Sequence, residues 1–183
     1  MPLPTGLFPI LLGARWDALP LGVRALHGSQ HRVNARGRVV VSGDSRWPAR
    51  ALRGLLGLPP PCADAAIDVR IIRNEVHEIW ARRFGDARMQ SVLTRSRRHP
   101  DAFEEHLGPA RFAFALAASG AGLRWVLREA RVLAVRLPLR WFGGLIAGCA
   151  ERDGRYRFEI AVQLPGIGLL VAYAGWLEIV DVE

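Results

Sequence analysis

IAVQLPGIGLLVAYAGWLEIV, residues 160–180, is an almost continuous apolar stretch in which only Gln163 and Glu178 are clearly polar. Because about 20 apolar residues span a bilayer core, the stretch raises the question of a membrane helix. Pro165, Gly166 and Gly168 interrupt it with a cluster typical of a turn. The sequence therefore predicts two strands joined by a turn, and not one membrane-spanning helix.

The residues just upstream indicate the kind of strand. From residue 155 to 164, apolar side chains alternate with mostly polar ones, which places the two sets on opposite faces of a strand. After the turn, apolar residues again share one parity. A loop of two or four residues would put both apolar sets on the same face of an antiparallel hairpin, so an even loop is predicted. The residues expected to face the core are Tyr156, Phe158, Ile160, Val162, Val171 and Tyr173.

Length and composition predict one packed domain, residues 1–183. Half of the residues are hydrophobic and 23% are charged, which is typical of a globular chain. The short apolar run near the N-terminus has no basic residues before it, so no secretory signal peptide is predicted. Cys62 and Cys149 are too few for a disulfide framework, and we expect two reduced thiols in a cytoplasmic protein.

The net charge of +8 comes from 25 arginines without a single lysine. A lysine-free composition indicates a codon bias over the whole chain and not a selected phosphate-binding surface. No zinc-finger spacing, helix-turn-helix or aromatic ribonucleoprotein motif accompanies the arginines. Nucleic-acid binding is therefore not expected beyond nonspecific attraction.

The order of patterns along the chain predicts the architecture. Short helices are expected in an N-terminal part, about residues 12–57, around a first strand at 38–42. From about 66 to 180, strand patterns are separated by turn signals such as Gly85-Asp86, Ser119-Gly120 and Asp153-Gly154, which favours antiparallel pairing. The fold class is mainly β (α+β): a single curved antiparallel sheet or incomplete barrel of about eight to ten strands, with short N-terminal helices packed on it or closing one end.

Several stretches together resemble a bacterial family, the domain of unknown function 4166. They are WDALPLGVRALHG (16–28), GRVVVSG (37–43), ARALRGLLGLPP (49–60), EIWARRFG (78–85), EEHLGPARFAF (104–114) and GRYRFEIAVQLPGIGLLVAYAGWL (154–177). The resemblance covers nearly the whole chain in order. It implies a domain that occurs alone or beside reductase-like and small membrane-protein domains, without an established activity, so it supports the fold more than a function.

The segment EIWARRF contains the first candidate site. Glu78, Trp80, Arg82 and Phe84 share one face of a strand, and the two aromatic residues indicate that this face is buried. A buried arginine requires a carboxylate, for which Glu78 and Glu105 are candidates. Two interpretations remain open: a structural arginine stacked on aromatic rings and paired between strands, or a ligand-anchoring arginine at the mouth of a cavity.

The preferred functional hypothesis is non-catalytic binding of an apolar small molecule, such as a lipid or isoprenoid tail, in the cup of the curved sheet. Inward parities mix large and small residues, which favours a cavity, and Arg82 and Glu105 are placed to orient a polar head group at its rim. No cofactor is predicted. The predicted ligand-binding residues are Trp80, Arg82, Phe84, Glu105 and Tyr173.

Two other hypotheses stay open. The first is an accessory module that docks a reductase or membrane-protein partner through exposed Trp141 and Phe142, or through an arginine-rich edge near residue 95. The second is an enzyme with Glu105 and His106 as acid and base, although no nucleophile or oxyanion donor accompanies them.

His27 and His31 have the spacing of two zinc ligands on one helix face. Gly28 is expected to end the helix between them, so no metal site is predicted. The alternative interpretation is a helix-capping His27 and a His31 in a loop. No residue is assigned a catalytic role.

Overall fold

The computed structural model describes residues 6–182 and shows strands that run up and down around a central axis. The helices are α1 (Leu7–Leu12), α2 (Leu21–His27) and α3 (Trp47–Leu56), with 3-10 turns at Gly13–Arg15 and Leu139–Phe142. The strands are β1 (Arg32–Ser42), β2 (Cys62–Arg73), β3 (His77–Phe84), β4 (Ala87–Arg95), β5 (Ala102–Leu107), β6 (Ala110–Ser119), β7 (Gly122–Val132), β8 (Val135–Arg136), β9 (Ile146–Arg152), β10 (Arg155–Leu164) and β11 (Gly168–Val182).

The sheet closes on itself. Its strand order is β6-β5-β4-β3-β2-β1-β11-β10-β9-β7, and β7 pairs with β6 to complete a ring of ten antiparallel strands. The two-residue strand β8 pairs with β7 beside the ring. The predicted mainly β fold, a single curved antiparallel sheet with short helices, is confirmed. Closure pairs both sides of each barrel strand and so removes the exposed edges of an open sheet.

The stretch 160–180 forms the predicted hairpin, β10–β11, but the predicted even loop is wrong. Leu164 pairs with Gly168, so the loop has three residues, 165–167. An extra residue in β11, Leu170, then shifts the register, since Gln163 pairs with Leu169 whereas Val162 pairs with Val171. This bulge restores the parity that an odd loop would have reversed. All six residues predicted to face the core therefore do so.

No helix within residues 6–182 is long and apolar enough to cross a membrane. The first strand begins at Arg32, six residues before the predicted start. The prediction missed these residues because Asn34, Arg36 and Gly37 weaken the apolar signal of the strand. Its inward residues nevertheless keep the strand period, with Val33, Ala35, Val39 and Val41 buried.

The direction of the strands gives the barrel two different ends. The plugged end holds α1 and α2: Phe8 of α1 packs on Phe103 and Trp125 at the starts of β5 and β7, with ring centroids 5.5 and 6.2 Å apart. At the same end, Glu151 accepts a 2.6 Å hydrogen bond from the Gly22 amide of α2. The opposite end, called the exposed end, holds α3, the Leu139–Phe142 turn and the β10–β11 loop.

A buried ion pair fixes the plugged end. Arg73 at the end of β2 lies 3.2 Å from Glu78 at the start of β3, measured from Nε to Oε2, and the two side chains are 1% and 3% exposed. Arg73 donates hydrogen bonds to the carbonyl oxygens of Leu26, at 2.6 Å, and Gln30, at 3.1 Å. Glu78 accepts hydrogen bonds from the Leu7 amide and the Trp80 indole. The pair therefore connects both N-terminal helices to one hairpin of the barrel.

We expect Glu78→Gln to lower the free energy of unfolding by about 3–5 kcal/mol, because it leaves the buried Arg73 guanidinium without a counter-charge. Urea denaturation followed by circular dichroism measures the change. The matched control is Asp64→Asn, which breaks an exposed pair with Arg38 and should leave the midpoint almost unchanged. Equal midpoints for Glu78→Gln and the wild type would contradict a stabilising role for the pair.

Candidate ligand-binding cavity

The barrel encloses a cavity of about 530 Å3. At the plugged end, Phe8 and Leu26 form its floor, and neither is exposed to solvent. At the exposed end, Leu52 and Leu56 of α3 cover part of it. The wall between these ends is apolar over most of its surface and includes Ile67, Val69, Leu93, Phe114, Leu127, Phe158, Ile160, Val162 and Val171.

Access to the cavity lies at the exposed end. Strands β7 and β9 pair over only three residue pairs, Gly122–Arg124 with Gly148–Ala150, and then diverge toward this end. The segment between β8 and β9 covers the gap and contributes Leu137, Trp141, Phe142 and Leu145 to the cavity lining. Trp141 is 40% exposed and Pro165 is also exposed, so lining residues reach solvent here.

Arg82 lies in the cavity wall with the partners expected of a paired arginine. Its guanidinium carbon is 5.0 Å from the centre of the Trp80 ring, and its Nη1 donates a 2.9 Å hydrogen bond to Ser91 on β4. Its Nη2 is 3.7 Å from a carboxylate oxygen of Glu105 on β5. Glu105 is therefore the partner of Arg82, and Glu78 pairs with Arg73. Arg82 and Glu105 line the cavity wall, and the charge of Arg82 acts on His27 and Tyr156 at the plugged end, so the pair does not lie at the exposed end.

Tyr173 completes this polar part of the wall. Its ring packs against Phe84 and Phe158, with centroids 5.4 and 6.2 Å away. Within residues 6–182 its hydroxyl has no hydrogen-bond partner. Burial raises the pKa of Tyr173 to about 12, so the hydroxyl keeps its proton and remains a donor at neutral pH.

Four of the five predicted ligand-binding residues line the cavity: Trp80, Arg82, Glu105 and Tyr173. The fifth, Phe84, is buried behind Tyr173. Sequence reasoning missed Ser91, the hydrogen-bond partner of Arg82. Its signal was a polar residue between Met89 and Leu93, at the inward parity of β4.

A second polar cluster lies beside the floor. His27 is fully buried, with Nε2 2.9 Å from the Tyr156 hydroxyl and 3.7 Å from the Cys149 sulfur. Burial lowers the pKa of His27 well below its usual value, and the charges of Arg73 and Arg82 lower it further. Burial raises the pKa of Cys149 to about 12 and raises that of Tyr156 as well. All three groups are therefore uncharged at neutral pH.

This cluster corrects the interpretation of His27 as a helix cap, since its ring is packed against Phe8 at 4.3 Å inside the plug. His31 is exposed, so the two histidines do not share a site. Both cysteines are free thiols.

Three other predicted features differ in the structure. Phe142 is buried and packs on Phe112, so it cannot anchor a partner, whereas Trp141 is exposed. Arg95 is exposed, but β4 pairs with both β3 and β5, so the residues near 95 do not form a sheet edge. Glu105 faces the cavity, while the adjacent His106 points to the other face of β5 and lies 3.7 Å from Glu104. The predicted acid and base are not brought together.

The fold and the cavity define a class: a small closed antiparallel β-barrel, plugged by helices at one end, with an apolar interior space. Within that class the family is shown by sequence. The family model of the Domain of unknown function (DUF4166) matches residues 19–177, and the chain belongs to this family. No curated protein matches the chain.

The buried His27 predicts a pH dependence of stability. Its pKa in the folded protein is depressed, whereas in the unfolded chain it is about 6.5. Below about pH 6.5 the unfolded chain binds a proton that the folded state does not, so stability falls as the pH falls, by up to about 1.4 kcal/mol per pH unit. We expect His27→Gln to remove this part of the slope between about pH 6.5 and 5.

Urea denaturation at several pH values measures the slope, and the difference between wild type and variant isolates the contribution of His27. His31→Gln is the matched control, because the exposed His31 should leave the slope unchanged. A wild-type slope retained in His27→Gln would show that His27 is not held in its neutral form.

Proposed function

We propose that the protein binds an apolar small molecule, such as a lipid or isoprenoid, in the barrel cavity and does not act as a catalyst on it. The cavity itself is the observation that carries the proposal. Protein interiors are close-packed and leave few voids larger than a water molecule, whereas ligand pockets have volumes of roughly 300–1,000 Å3. The volume of about 530 Å3 lies within the range of ligand pockets.

The lining supports an apolar ligand. An empty apolar cavity lowers stability in proportion to its volume, so a space of this size is favoured where a ligand fills it. Only Arg82 and Glu105 are charged among the lining residues of the described chain, and they are paired with each other. Apolar surface with a few fixed polar groups is typical of small-molecule sites.

The polar groups favour binding over catalysis. Glu105 is paired with Arg82, and His106 lies on the other face of its strand. The Cys149 thiol, the most nucleophilic group near the floor, is held in its protonated form by burial. The two clusters therefore contain no activated nucleophile next to a base.

Filling the cavity should abolish binding. Ile160→Trp places a larger side chain into the space, and we expect it to reduce the binding of a fluorescent apolar probe, N-phenyl-1-naphthylamine, by about tenfold or more. The control is Val40→Trp, which introduces the same residue on the exposed outer face of β1. Native mass spectrometry of the protein from its own host, with organic extraction, identifies any co-purified molecule.

Probe binding that is equal in Ile160→Trp, Val40→Trp and the wild type would place the probe outside the cavity. A folded wild-type protein that binds no apolar probe and carries no extractable molecule would contradict the proposal.

A second candidate function, docking of a partner protein, is favoured by the exposed end. Trp47 is 77% exposed, and Arg46 and Arg140 lie with Trp141 along one surface groove beside the Pro165–Gly166 turn. An Arg-Trp pair, Arg46-Trp47, thus lies at the start of α3, and a second pair, Arg140-Trp141, lies in the Leu139–Phe142 turn. Tryptophan and arginine are enriched among the residues that anchor interfaces. A reductase or membrane-protein partner remains the proposed kind of partner.

Crosslinking in the host tests this docking surface. We expect a partner crosslinked to the wild type to be lost in the double variant Trp47→Ser, Trp141→Ser. The control is Val76→Ser, which changes an exposed residue at the plugged end of the barrel and should keep the crosslinked partner. Recovery of a monomer without crosslinked partners would contradict the docking function.

A further inference from the structure

The polar part of the cavity wall has hydrogen-bonding capacity that the protein does not use. Between Arg82 and Glu105 the closest nitrogen and oxygen are 3.7 Å apart, beyond hydrogen-bond distance. Their side chains are 14% and 23% exposed although they point into the barrel, so part of each faces the open space. The Tyr173 hydroxyl is a third group without a partner within residues 6–182.

The signs of the two charges restrict what they can bind. The charges of Arg82 and Glu105 sum to zero, so the wall offers no net positive charge to an anion. A ligand carboxylate beside Arg82 would also lie close to the Glu105 carboxylate, and two like charges in an apolar space repel strongly. An alkane would leave the unused hydrogen-bonding capacity of these groups unsatisfied.

A hydroxyl group matches both sides of the pair. Its oxygen can accept a hydrogen bond from the Arg82 guanidinium while its proton is donated to the Glu105 carboxylate. A carbonyl group accepts but cannot donate, so it would serve Arg82 alone. The remaining wall toward the exposed end is apolar, with Leu52, Leu56, Leu164 and Ile167, and suits a hydrocarbon body.

We propose that the ligand is an apolar molecule that ends in a hydroxyl group, with this group between Arg82 and Glu105 and its hydrocarbon body directed toward the exposed end. This inference rests on the proposed function of the cavity and specifies its ligand class.

Displacement of N-phenyl-1-naphthylamine by decanol and by decanoate, which have equal chain lengths, tests the inference. At about pH 7.5 decanoate is ionised. We expect decanol to bind the wild type about tenfold more tightly or better, because only the alcohol fits the neutral pair. Tyr173→Phe removes one hydroxyl from the wall and should weaken decanol binding about threefold without changing probe affinity.

Glu105→Gln provides the sharpest test. It removes the negative charge and leaves the Arg82 charge unpaired, so decanoate affinity should rise about tenfold. Glu104→Gln is the matched control, since the adjacent Glu104 bonds to Ser96 on the other face of β5 and should change nothing. A thermal melt of each variant shows that it is folded.

The outcomes separate this inference from the proposed function. Probe binding with equal decanol and decanoate affinities, or a Glu105→Gln variant whose preference is unchanged, would overturn the hydroxyl inference alone. A folded protein that binds neither the probe nor either competitor would overturn the proposed function, and the inference with it.

Discussion

The structure depends on the buried ion pair of Arg73 and Glu78. Helices α1 and α2 have six and seven residues, too short to be stable alone. The last carbonyl groups of a helix and its first amides have no partner inside the helix. Arg73 supplies donors to the C-terminal end of α2 through Leu26, and Glu78 accepts from Leu7, the first residue of α1. A cation at a helix C-terminus and an anion at an N-terminus are also both favourable. One pair thus connects both helices of the plug to the barrel.

The plug in turn explains why an apolar space remains inside. A closed barrel of ten strands has a wide interior, and side chains alone do not fill it as they do in narrower barrels. Phe8 and Leu26 close one end and keep water from entering there. At the other end β7 and β9 diverge, so the segment with Trp141 and Phe142 covers the gap instead of a continuous sheet. The ten-stranded closure therefore leaves the space, the plug closes it at one end, and the incomplete pairing of β7 and β9 leaves access at the other.

The period of two along each strand determines how much of this arrangement the sequence predicts. Parity placed Trp80, Arg82 and Tyr173 in the interior, because side-chain direction along a strand depends only on alternation. Parity could not reveal the loop of residues 165–167, since the bulge at Leu170 compensates for it. Nor could it choose between Glu78 and Glu105 as the partner of Arg82, because both face inward. That choice depends on the register of β3, β4 and β5, which no local pattern determines.

The two arginine–glutamate pairs of the interior differ in a way that indicates their roles. Burying a charge pair is costly, and the cost is recovered only when hydrogen bonds satisfy the remaining donors and acceptors. For Arg73 and Glu78, the backbone of the plug and the Trp80 indole hydrogen-bond to both terminal nitrogens of the guanidinium and to both carboxylate oxygens, and Arg73 Nε has the ion-pair contact with Glu78 alone. Arg82 and Glu105 have fewer partners: only Ser91 adds a hydrogen bond, and the closest atoms of the pair remain 3.7 Å apart. Trp80 contacts both pairs, since its N–H bonds to Glu78 and its ring lies under Arg82. The Arg73–Glu78 pair connects the plug to the barrel, whereas the Arg82–Glu105 pair retains unused hydrogen-bonding capacity, on which the proposal of a ligand with a polar end rests.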